Sequence, residues 1–294
     1  MRSEVKAARL IKDETQAYYI ANAGVFMGFK KLVASKTDHI KKEEDQELIW
    51  RVNTDIKPQN FGNGFYKIKI GNESGKINLN YAKRDLLKLL FTSLNVEEER
   101  CDIIVDSILD WRDADALHRL KGAENDYYQS LPEPYKCRDG FFRYKDELLM
   151  VKGITKELYE SGLKNFISIV IISKSPGKYK NRAKRGHINI NAAPLELLKI
   201  FPGMTSEIVK DIAKYRQKKD ITSLHDLITI TGPEITVDLK KNIDYHYNNF
   251  YTFDVEGWTI DEFTKQRVLV MIEKTRSKGA GYKIVQWIDS VPQH

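Results

Sequence analysis

An acidic segment between Asp113 and Asp146 holds the side chains best suited to chemistry. Besides Asp113 it contains Asp115, Glu124, Asp126 and Asp139, set among Gly, Pro and aromatic residues. The aromatic residues argue against disorder because they need burial. Hard oxygen ligands at irregular spacing suit Ca²⁺, which accepts about six to eight oxygens in a flexible geometry. A calcium site is therefore one interpretation of this segment.

Two other interpretations of the acidic segment stay open. The carboxylates can belong to a solvated loop in which Asp113 or Asp115 pairs with Arg112, Arg119 or Lys121. A carboxylate pair could also do glycosidase-type acid–base work, although no substrate cleft can be inferred from the sequence. The EF-hand pattern is absent, because the fifth loop position lacks an acid and the sixth lacks Gly.

The acidic segment lies inside one copy of an internal repeat. Residues 75–82 (GKINLNYA) correspond to residues 186–193 (GHININAA) at a constant offset of 111, and a similar Leu-rich stretch follows each phrase. Such self-similarity indicates one supersecondary unit that is used twice.

The two copies differ in length. Residues 108–113 align with 212–217 at an offset of 104, whereas 147–154 align with 226–233 at an offset of 79. The first copy therefore carries about 25 extra residues, the difference between these offsets, and a loop this long is usually functional or disordered. What differs between the copies is the best indication of function.

The second copy looks like a helix-hairpin-helix unit, which favours a nucleic-acid-binding protein as the alternative function. Its hairpin is residues 202–205 (PGMT), where the usual form has a second Gly in place of Thr205. That side chain would crowd a phosphate approaching the hairpin amides. The first copy has SLNV at residues 93–96 and lacks Pro-Gly altogether. Nucleic acid is therefore not the expected partner.

The elements around the repeats predict an α+β fold. Residues 4–35 follow a helical apolar rhythm with small residues on one patch. Residues 65–70 and 76–80 predict a hairpin across the turn at 71–75. Residues 250–255, 267–274 and 282–288 predict three further strands, and such a sheet needs a cover, for which the N-terminal helix is the obvious choice.

These elements divide the chain into a helix-and-sheet domain split by a helical insertion. We assign residues 1–76 and 249–294 to the two parts of the first domain. The insertion spans residues 77–248, with repeat one at 77–172 and repeat two at 187–246. A stretch rich in Ser, Pro, Gly, Lys and Arg at 173–186 is the predicted linker between the repeats.

Composition excludes few classes. The 294 residues are 41% hydrophobic and 30% charged, with a net charge of +7, which fits a Lys-rich solvated surface as well as an anionic partner. No apolar run is long enough for a transmembrane helix, and no signal peptide is visible. The chain opens directly in helical rhythm, as if a longer helix had been cut. Cys101 and Cys137 could be free thiols or a disulfide, according to the compartment.

Several spaced motifs resemble the minor pseudopilin K family of the bacterial type II secretion system (general secretion pathway protein K). The resemblance covers nearly the whole chain. The motifs that carry it are AYYIANAG at 17–24, GKINLN at 75–80, ILDWRDAD at 108–115, GAENDYY at 122–128 and ININAAP at 188–194.

The resemblance implies a fold and a site. The implied fold is a pseudopilin, with a long N-terminal helix on an antiparallel sheet and a large helical domain inserted in that sheet. The family's association with calcium implies a metal site whose ligands are Asp110, Asp113, Asp115 and Glu124, with Asp126 and Asp139 as weaker candidates. The periplasmic setting of the family implies a Cys101–Cys137 disulfide.

The resemblance also implies a role. The protein would not be an enzyme: it would sit at the tip of a short periplasmic pseudopilus, in complex with the smaller minor pseudopilins through its N-terminal helix. The inserted domain would be too bulky for subunits to stack above it, and secreted substrate is a possible further partner. The family is anchored in the inner membrane, and a chain without the transmembrane segment would be a shortened, soluble form. A helix-hairpin-helix DNA-binding protein and a hydrolase that uses the acidic segment remain the alternatives.

Overall fold

The computed structural model describes residues 2–34, 50–172, 185–261, 264–275 and 281–289. The described chain divides into two compact units. Unit 1 contains the residues up to Glu73, the short stretch Arg216–Lys219, and the residues from Tyr247 onward. Unit 2 contains Ser74–Tyr215 and Asp220–His246. The predicted linker at 173–186 falls outside the described residues except for residues 185 and 186.

Unit 1 is a five-stranded antiparallel sheet with one long helix packed on it. The elements are α1 (Arg2–Ala34), β1 (Gln59–Phe61), β2 (Gly64–Asn72), β7 (Phe250–Thr259), β8 (Lys265–Lys274) and β9 (Tyr282–Ile288). The strand order is β1-β2-β7-β8-β9, so β2 and β7, which flank unit 2 in the chain, are direct neighbours. This arrangement confirms the predicted helix on an antiparallel sheet.

Small residues bring α1 close to the sheet. Ala17, Ala21 and Val25 are completely buried. A side chain at Gly257 on β7 would overlap the helix backbone at Ala17 and Ala21, so the strand and the helix meet backbone to backbone. The N-terminal end of α1 is different, because residues 3–12 are all exposed. Within the described residues, none of the helices combines the length and the apolar character needed to cross a membrane.

The predicted hairpin between residues 65–70 and 76–80 is wrong. β2 pairs with β1 and β7, whereas β3 (Ile77–Asn78) forms a parallel pair with β4 (Ile167–Ser168) in unit 2. A 3₁₀ turn at Glu73–Gly75 separates the two strands. The local turn signal was correct, but pairing partners far along the chain decided where each strand went.

Unit 2 is mainly helical and holds two short parallel strand pairs, β3 with β4 and β5 with β6. The elements of its first half are β3, α2 (Arg84–Ser93), α3 (Glu98–Arg112), α4 (Asn125–Gln129), a 3₁₀ helix (Lys145–Met150), α5 (Lys156–Leu158), a π-helical turn (Tyr159–Leu163), α6 (Lys164–Phe166) and β4. Those of its second half are β5 (Ile188–Asn189), α7 (Leu195–Leu198), α8 (Ser206–Lys218), α9 (Leu224–Thr231), α10 (Pro233–Leu239) and β6 (Ile243–Asp244).

The two GxINxN phrases make matching hydrogen bonds. The Asn80 side chain accepts the backbone N–H of Phe142 at 2.7 Å and donates to its carbonyl at 3.1 Å. The Asn191 side chain does the same with Ile221, at 2.8 Å for both bonds. These pairs are related by the offsets of 111 and 79 that the sequence shows. Each buried asparagine therefore joins its phrase to a loop further along the chain. That loop precedes the 3₁₀ helix Lys145–Met150 in the first copy and α9 in the second.

The glycines of the two phrases pack reciprocally. A side chain at Gly75 would overlap the backbone of Ala192, and one at Gly186 would overlap the carbonyl of Tyr81. Tyr81 and Ala192 are themselves equivalent at the offset of 111. The two phrases therefore face each other with approximate two-fold symmetry, and each glycine leaves room for the other phrase.

Candidate metal site

The end of α3 and the loop that follows it carry the predicted ligands. Asp110 lies on the last turn of α3 and is completely buried, and Asp113 caps the helix in an extended conformation. Glu124 directly precedes α4 and is only 3% exposed. The loop of residues 113–124 between these helices thus folds back so that its two ends meet.

Three of the predicted ligands form one oxygen cluster. A carboxylate oxygen from each of Asp113, Asp115 and Glu124 lies within 4.8 Å of the other two. Glu124 Oε1 and Asp113 Oδ1 are buried and have no hydrogen-bond partner. Buried carboxylate oxygens without donors are costly unless a cation compensates them, so the cluster has the composition of a hard-cation site.

Arg119 links Asp110 to this cluster. Its Nη1 lies 2.5 Å from Asp110 Oδ1 and 2.6 Å from Asp113 Oδ2. The backbone N–H of Arg119 also donates to the Asp110 carboxylate, at 3.3 Å for Oδ2. In this structure the guanidinium therefore lies between two of the predicted ligands.

Burial and negative neighbours raise the pKa of Glu124 to about 7. Desolvation is the largest cause, and repulsion from Asp110, Asp113 and Asp139 follows. A bound cation would act in the opposite direction and favour the charged carboxylate.

Asp139 lies beside Glu124. Together with Glu124 and Cys137 it forms a second group whose ligand atoms lie within 4.8 Å of one another. Burial raises the pKa of the Cys137 thiol to about 12, so the sulfur stays protonated near neutral pH. A protonated thiol is a poor metal ligand, and the usable donors at this site are oxygens.

Asp126 lies apart from both groups. Its side chain is 73% exposed, and one carboxylate oxygen lies 2.8 Å from His118 Nε2. The structure thus brings together Asp113, Asp115 and Glu124, adds Asp110 through Arg119, and places Asp139 beside Glu124. Whether these residues bind an ion stays a prediction.

The expected Cys101–Cys137 disulfide is absent from the structure, and both cysteines are buried free thiols. The sulfur of Cys101 lies 3.8 Å from Thr92 Oγ1 and 3.7 Å from the Lys88 carbonyl, between α3 and α2. Cys137 lies beside Glu124 instead. Each thiol is packed among its own neighbours in the core of unit 2.

One residue of the site was missed by the sequence analysis. A side chain at Gly122 would overlap the Asp110 carboxylate, so only glycine lets the returning loop pass this close to the buried acid. The signal was available in the GAEN motif, in which Gly122 stands two residues before Glu124.

Comparisons with known proteins agree with this architecture. The sequence model of the family "Type II secretion system (T2SS), protein K" matches residues 69–170. The type II secretion system protein K of Pectobacterium carotovorum subsp. carotovorum is 29% identical over 163 residues, which cover 54% of this chain and 46% of that protein. The protein of the same name from Aeromonas hydrophila is 37% identical over 73 residues, which cover 24% of this chain and 22% of that protein.

A solved structure shares the fold. A chain in the crystal structure of the GspK-GspI-GspJ complex from the type 2 secretion system of enterotoxigenic Escherichia coli superimposes with a TM-score of 0.61 at 14% identity. The match covers 99% of this chain and 100% of that chain. By sequence, however, the aligned region spans less than half of the curated relatives. The resemblance to the type II secretion system protein K family is confirmed, and residues 69–170, with the acidic loop, carry that family's domain.

Proposed function

We propose that the protein is a minor pseudopilin of a type II secretion system, a structural subunit rather than an enzyme. The observation that carries the proposal is the family domain at residues 69–170 within a fold that matches the secretion-system chain from end to end. We place its domains on the periplasmic side of the inner membrane, where the family acts in protein export.

We propose that α1 carries the contacts with other minor pseudopilins. Its N-terminal end, residues 3–12, is exposed and displays apolar side chains, among them Val5, Leu10 and Ile11, which are 64%, 53% and 63% exposed. Exposed apolar side chains on a helix favour association with a partner helix. The matched structure contains GspI and GspJ beside GspK, and the counterparts of those two proteins are the proposed partners.

Co-purification tests the partner contact. The protein would be co-expressed with the two small minor pseudopilins of its own system, and complex formation measured by size-exclusion chromatography. Leu10→Asp with Ile11→Asp should abolish the complex. Leu120→Asp is the matched control, because Leu120 is 97% exposed on unit 2 and should tolerate the same change. A complex that survives the double change in α1 would rule out this interface.

We propose that the protein caps the pseudopilus tip. Unit 2 enters the chain between β2 and β7, which are adjacent strands of the sheet. An insertion of this size would obstruct a further subunit stacking along the same axis. Electron microscopy of assembled pseudopili, with gold label on an engineered tag in unit 2, tests this: label at one end supports the cap, and label along the length contradicts it.

We propose that unit 2 is built from two helix-hairpin-helix-like repeats that serve as scaffold. The matching asparagine contacts and the reciprocal glycines support the duplication. In the second repeat, a side chain at Gly203 would lie 3.0 Å from Ile235 on α10, so protein covers one side of the hairpin. That cover and the Thr at position 205 disfavour phosphate binding there.

We propose that the acidic cluster binds Ca²⁺. The donors are carboxylate oxygens, two buried oxygens lack a hydrogen-bond partner, and the nearby thiol is protonated. This donor set suits a hard cation and disfavours zinc or copper. Asp113, Asp115 and Glu124 would hold the ion, with Asp110 and Asp139 as further candidates. A bound ion would neutralise the buried acids and fasten the acidic loop to α3.

Thermal unfolding tests calcium binding. A ligand that binds only the folded state stabilises it, by about 2.7 kcal/mol at a concentration one hundred times the dissociation constant. The melting temperature should therefore rise on adding Ca²⁺ after chelator treatment. Asp115→Asn should remove most of the rise, whereas Asp126→Asn, at the exposed acid outside both groups, should keep it. No rise in the unchanged protein would contradict the calcium proposal.

A further inference from the structure

One cationic side chain occupies the space between two of the proposed calcium ligands. Arg119 Nη1 lies 2.5 Å from Asp110 Oδ1 and 2.6 Å from Asp113 Oδ2, so a single nitrogen bridges the two carboxylates. This is the position in which a metal ion shared by both acids would be expected. Asp110 is completely buried, which makes a positive partner necessary for its charge.

The neighbouring cations make their direct contacts with other groups. Arg112 donates to the backbone carbonyls of Leu79 and Ala82. The Lys121 ammonium lies 3.8 Å from Glu99, and His118 faces Asp126. Among the described residues, none of these three side chains forms an ion pair or hydrogen bond with Asp110 or Asp113, whereas Arg119 contacts both.

The compensation that Arg119 provides is incomplete. Asp113 Oδ2 meets the guanidinium, but Asp113 Oδ1 and Glu124 Oε1 are buried without a hydrogen-bond partner. The guanidinium of Arg119 therefore supplies one positive charge to a group of four carboxylates, those of Asp110, Asp113, Asp115 and Glu124. A divalent ion would bring more charge and more coordination positions than one guanidinium.

We propose that Arg119 is an internal counter-ion that competes with the metal for Asp110 and Asp113 and thereby sets the affinity of the site. This inference rests on the proposed calcium site. Without metal, the guanidinium holds the two acids and keeps the loop folded. When metal binds, the same guanidinium leaves. The affinity of the site for the metal is therefore lowered by the free energy needed to break the contacts of Arg119 with the two acids.

A cleft beside the cluster has room for the displaced side chain of Arg119. Arg119 lines a cleft of about 420 Å³ whose wall also contains Asp102 and Asp106, two acids that already pair with Arg84. The Arg119 side chain is 38% exposed, so it borders solvent as well as the two buried acids. The exchange is therefore a local movement of one side chain.

Isothermal titration of Ca²⁺ into three forms of the chelator-treated protein tests the exchange. Arg119→Gln removes the competitor, and its dissociation constant should fall by about tenfold or more, the loss expected for one charge-assisted contact. Lys121→Gln is the matched control, because it removes the same charge from the same loop without touching Asp110 or Asp113. Its dissociation constant should stay within about twofold of the unchanged protein.

The outcomes separate the two proposals. If no form binds Ca²⁺, the calcium proposal itself fails. If the unchanged protein and Arg119→Gln bind equally well, or the arginine variant binds more weakly, calcium binding stands and the exchange is wrong. Equal tightening by Lys121→Gln would also overturn the exchange, because it would show a general charge effect.

A measurement on the unchanged sequence covers the case in which Arg119→Gln does not fold. The ¹⁵N resonances of arginine side chains report whether a guanidinium is held in an ion pair. On titration with Ca²⁺, the Arg119 signals should move toward those of a freely rotating arginine, while the Arg112 signals should stay. Arg119 signals that remain unchanged at saturating Ca²⁺ would overturn the exchange.

Discussion

Two carboxylates, Asp226 in the second copy of the repeat and Glu124 in the first, have opposite surroundings. In the second copy, Asp226 at the start of α9 accepts the backbone N–H groups of Thr222 and Ser223 and the hydroxyl of Tyr215. In the first copy, Glu124 is buried beside other acids, and one of its oxygens has no donor. The pKa of Asp226 lies well below its usual value, whereas that of Glu124 rises to about 7.

Asp226 therefore stabilises the fold, whereas Glu124 keeps an oxygen that a ligand could contact. The cap at Asp226 has a counterpart in the first copy, where Glu147 accepts the backbone N–H groups of Arg143 and Tyr144. These caps are equivalent at the offset of 79, so both copies contain the structural acid. Glu124 has no such equivalent, because it lies in the additional loop.

Breaking the part that the copies share should have the largest effect. Gly75→Ala and Gly186→Ala would each force a methyl group into the opposite phrase, and each should reduce the free energy of unfolding by about 2 to 4 kcal/mol. Gly140→Ala is the control, since the added carbon would meet only one atom, at 3.9 Å. Urea denaturation measures the three values. Losses below 0.5 kcal/mol at both phrase positions would show that the phrases do not pack as described.

Removing the structural acid should have the next largest effect. Asp226→Asn weakens a helix cap and a hydrogen bond from Tyr215, and it should cost about 2 kcal/mol of unfolding free energy. The cost should be the same with Ca²⁺ and with chelator, because the residue lies outside the acidic cluster. Asp211→Asn serves as control, since Asp211 is an exposed acid paired only with Lys214 at 3.3 Å. If the cost of Asp226→Asn changed with Ca²⁺, Asp226 would not be a purely structural acid.

The ionisation of Glu124 should have a smaller effect that depends on pH. Its folded-state pKa is about 7, above the usual 4.5, so the folded state holds the proton more tightly. Stability is then fully present below about pH 4.5 and falls as pH rises to about 7. In the presence of chelator, the free energy of unfolding of Glu124→Gln should decrease over this pH range by about 1 to 3 kcal/mol less than that of the unchanged protein. The measurement is the difference between the two pH profiles, because the histidines contribute equally to both. Parallel profiles would refute the raised pKa.

Much of the fold could be predicted because its signals are local or repeated. Helical rhythm defined α1, alternation defined β7 and β8, and the doubled phrase predicted matching units whose asparagine contacts obey the same offsets. The acidic cluster could be anticipated for a similar reason. An additional ordered loop rich in carboxylates must compensate its charge, and the GAEN motif marks where the loop returns to α3.

The rest depended on partners that local sequence does not specify. The strand at Ile77–Asn78 pairs with residues about ninety positions away, so a correct turn signal led to a wrong hairpin. Cys101 and Cys137 suggested a disulfide because the chain has two cysteines and the family it resembles is periplasmic. In the structure, however, the two thiols are free and pack among different neighbours. Arg119 was one of three basic residues that could pair with the acids. Only the path of the loop places it, and not Arg112 or Lys121, between Asp110 and Asp113.

The reciprocal glycine contact makes unit 2 comparable to a homodimer joined into one chain. In a dimer with two-fold symmetry, every change at the shared face occurs twice, whereas a fused pair can vary one half alone. Gly75 and Gly186 hold the face that both halves need. The loop after α3 extends from one half only, so it could gain about 25 residues and a cluster of acids while its partner kept the plain capped form. Fusion thus allows one copy to carry an acidic cluster that the other lacks, while both keep the face they share.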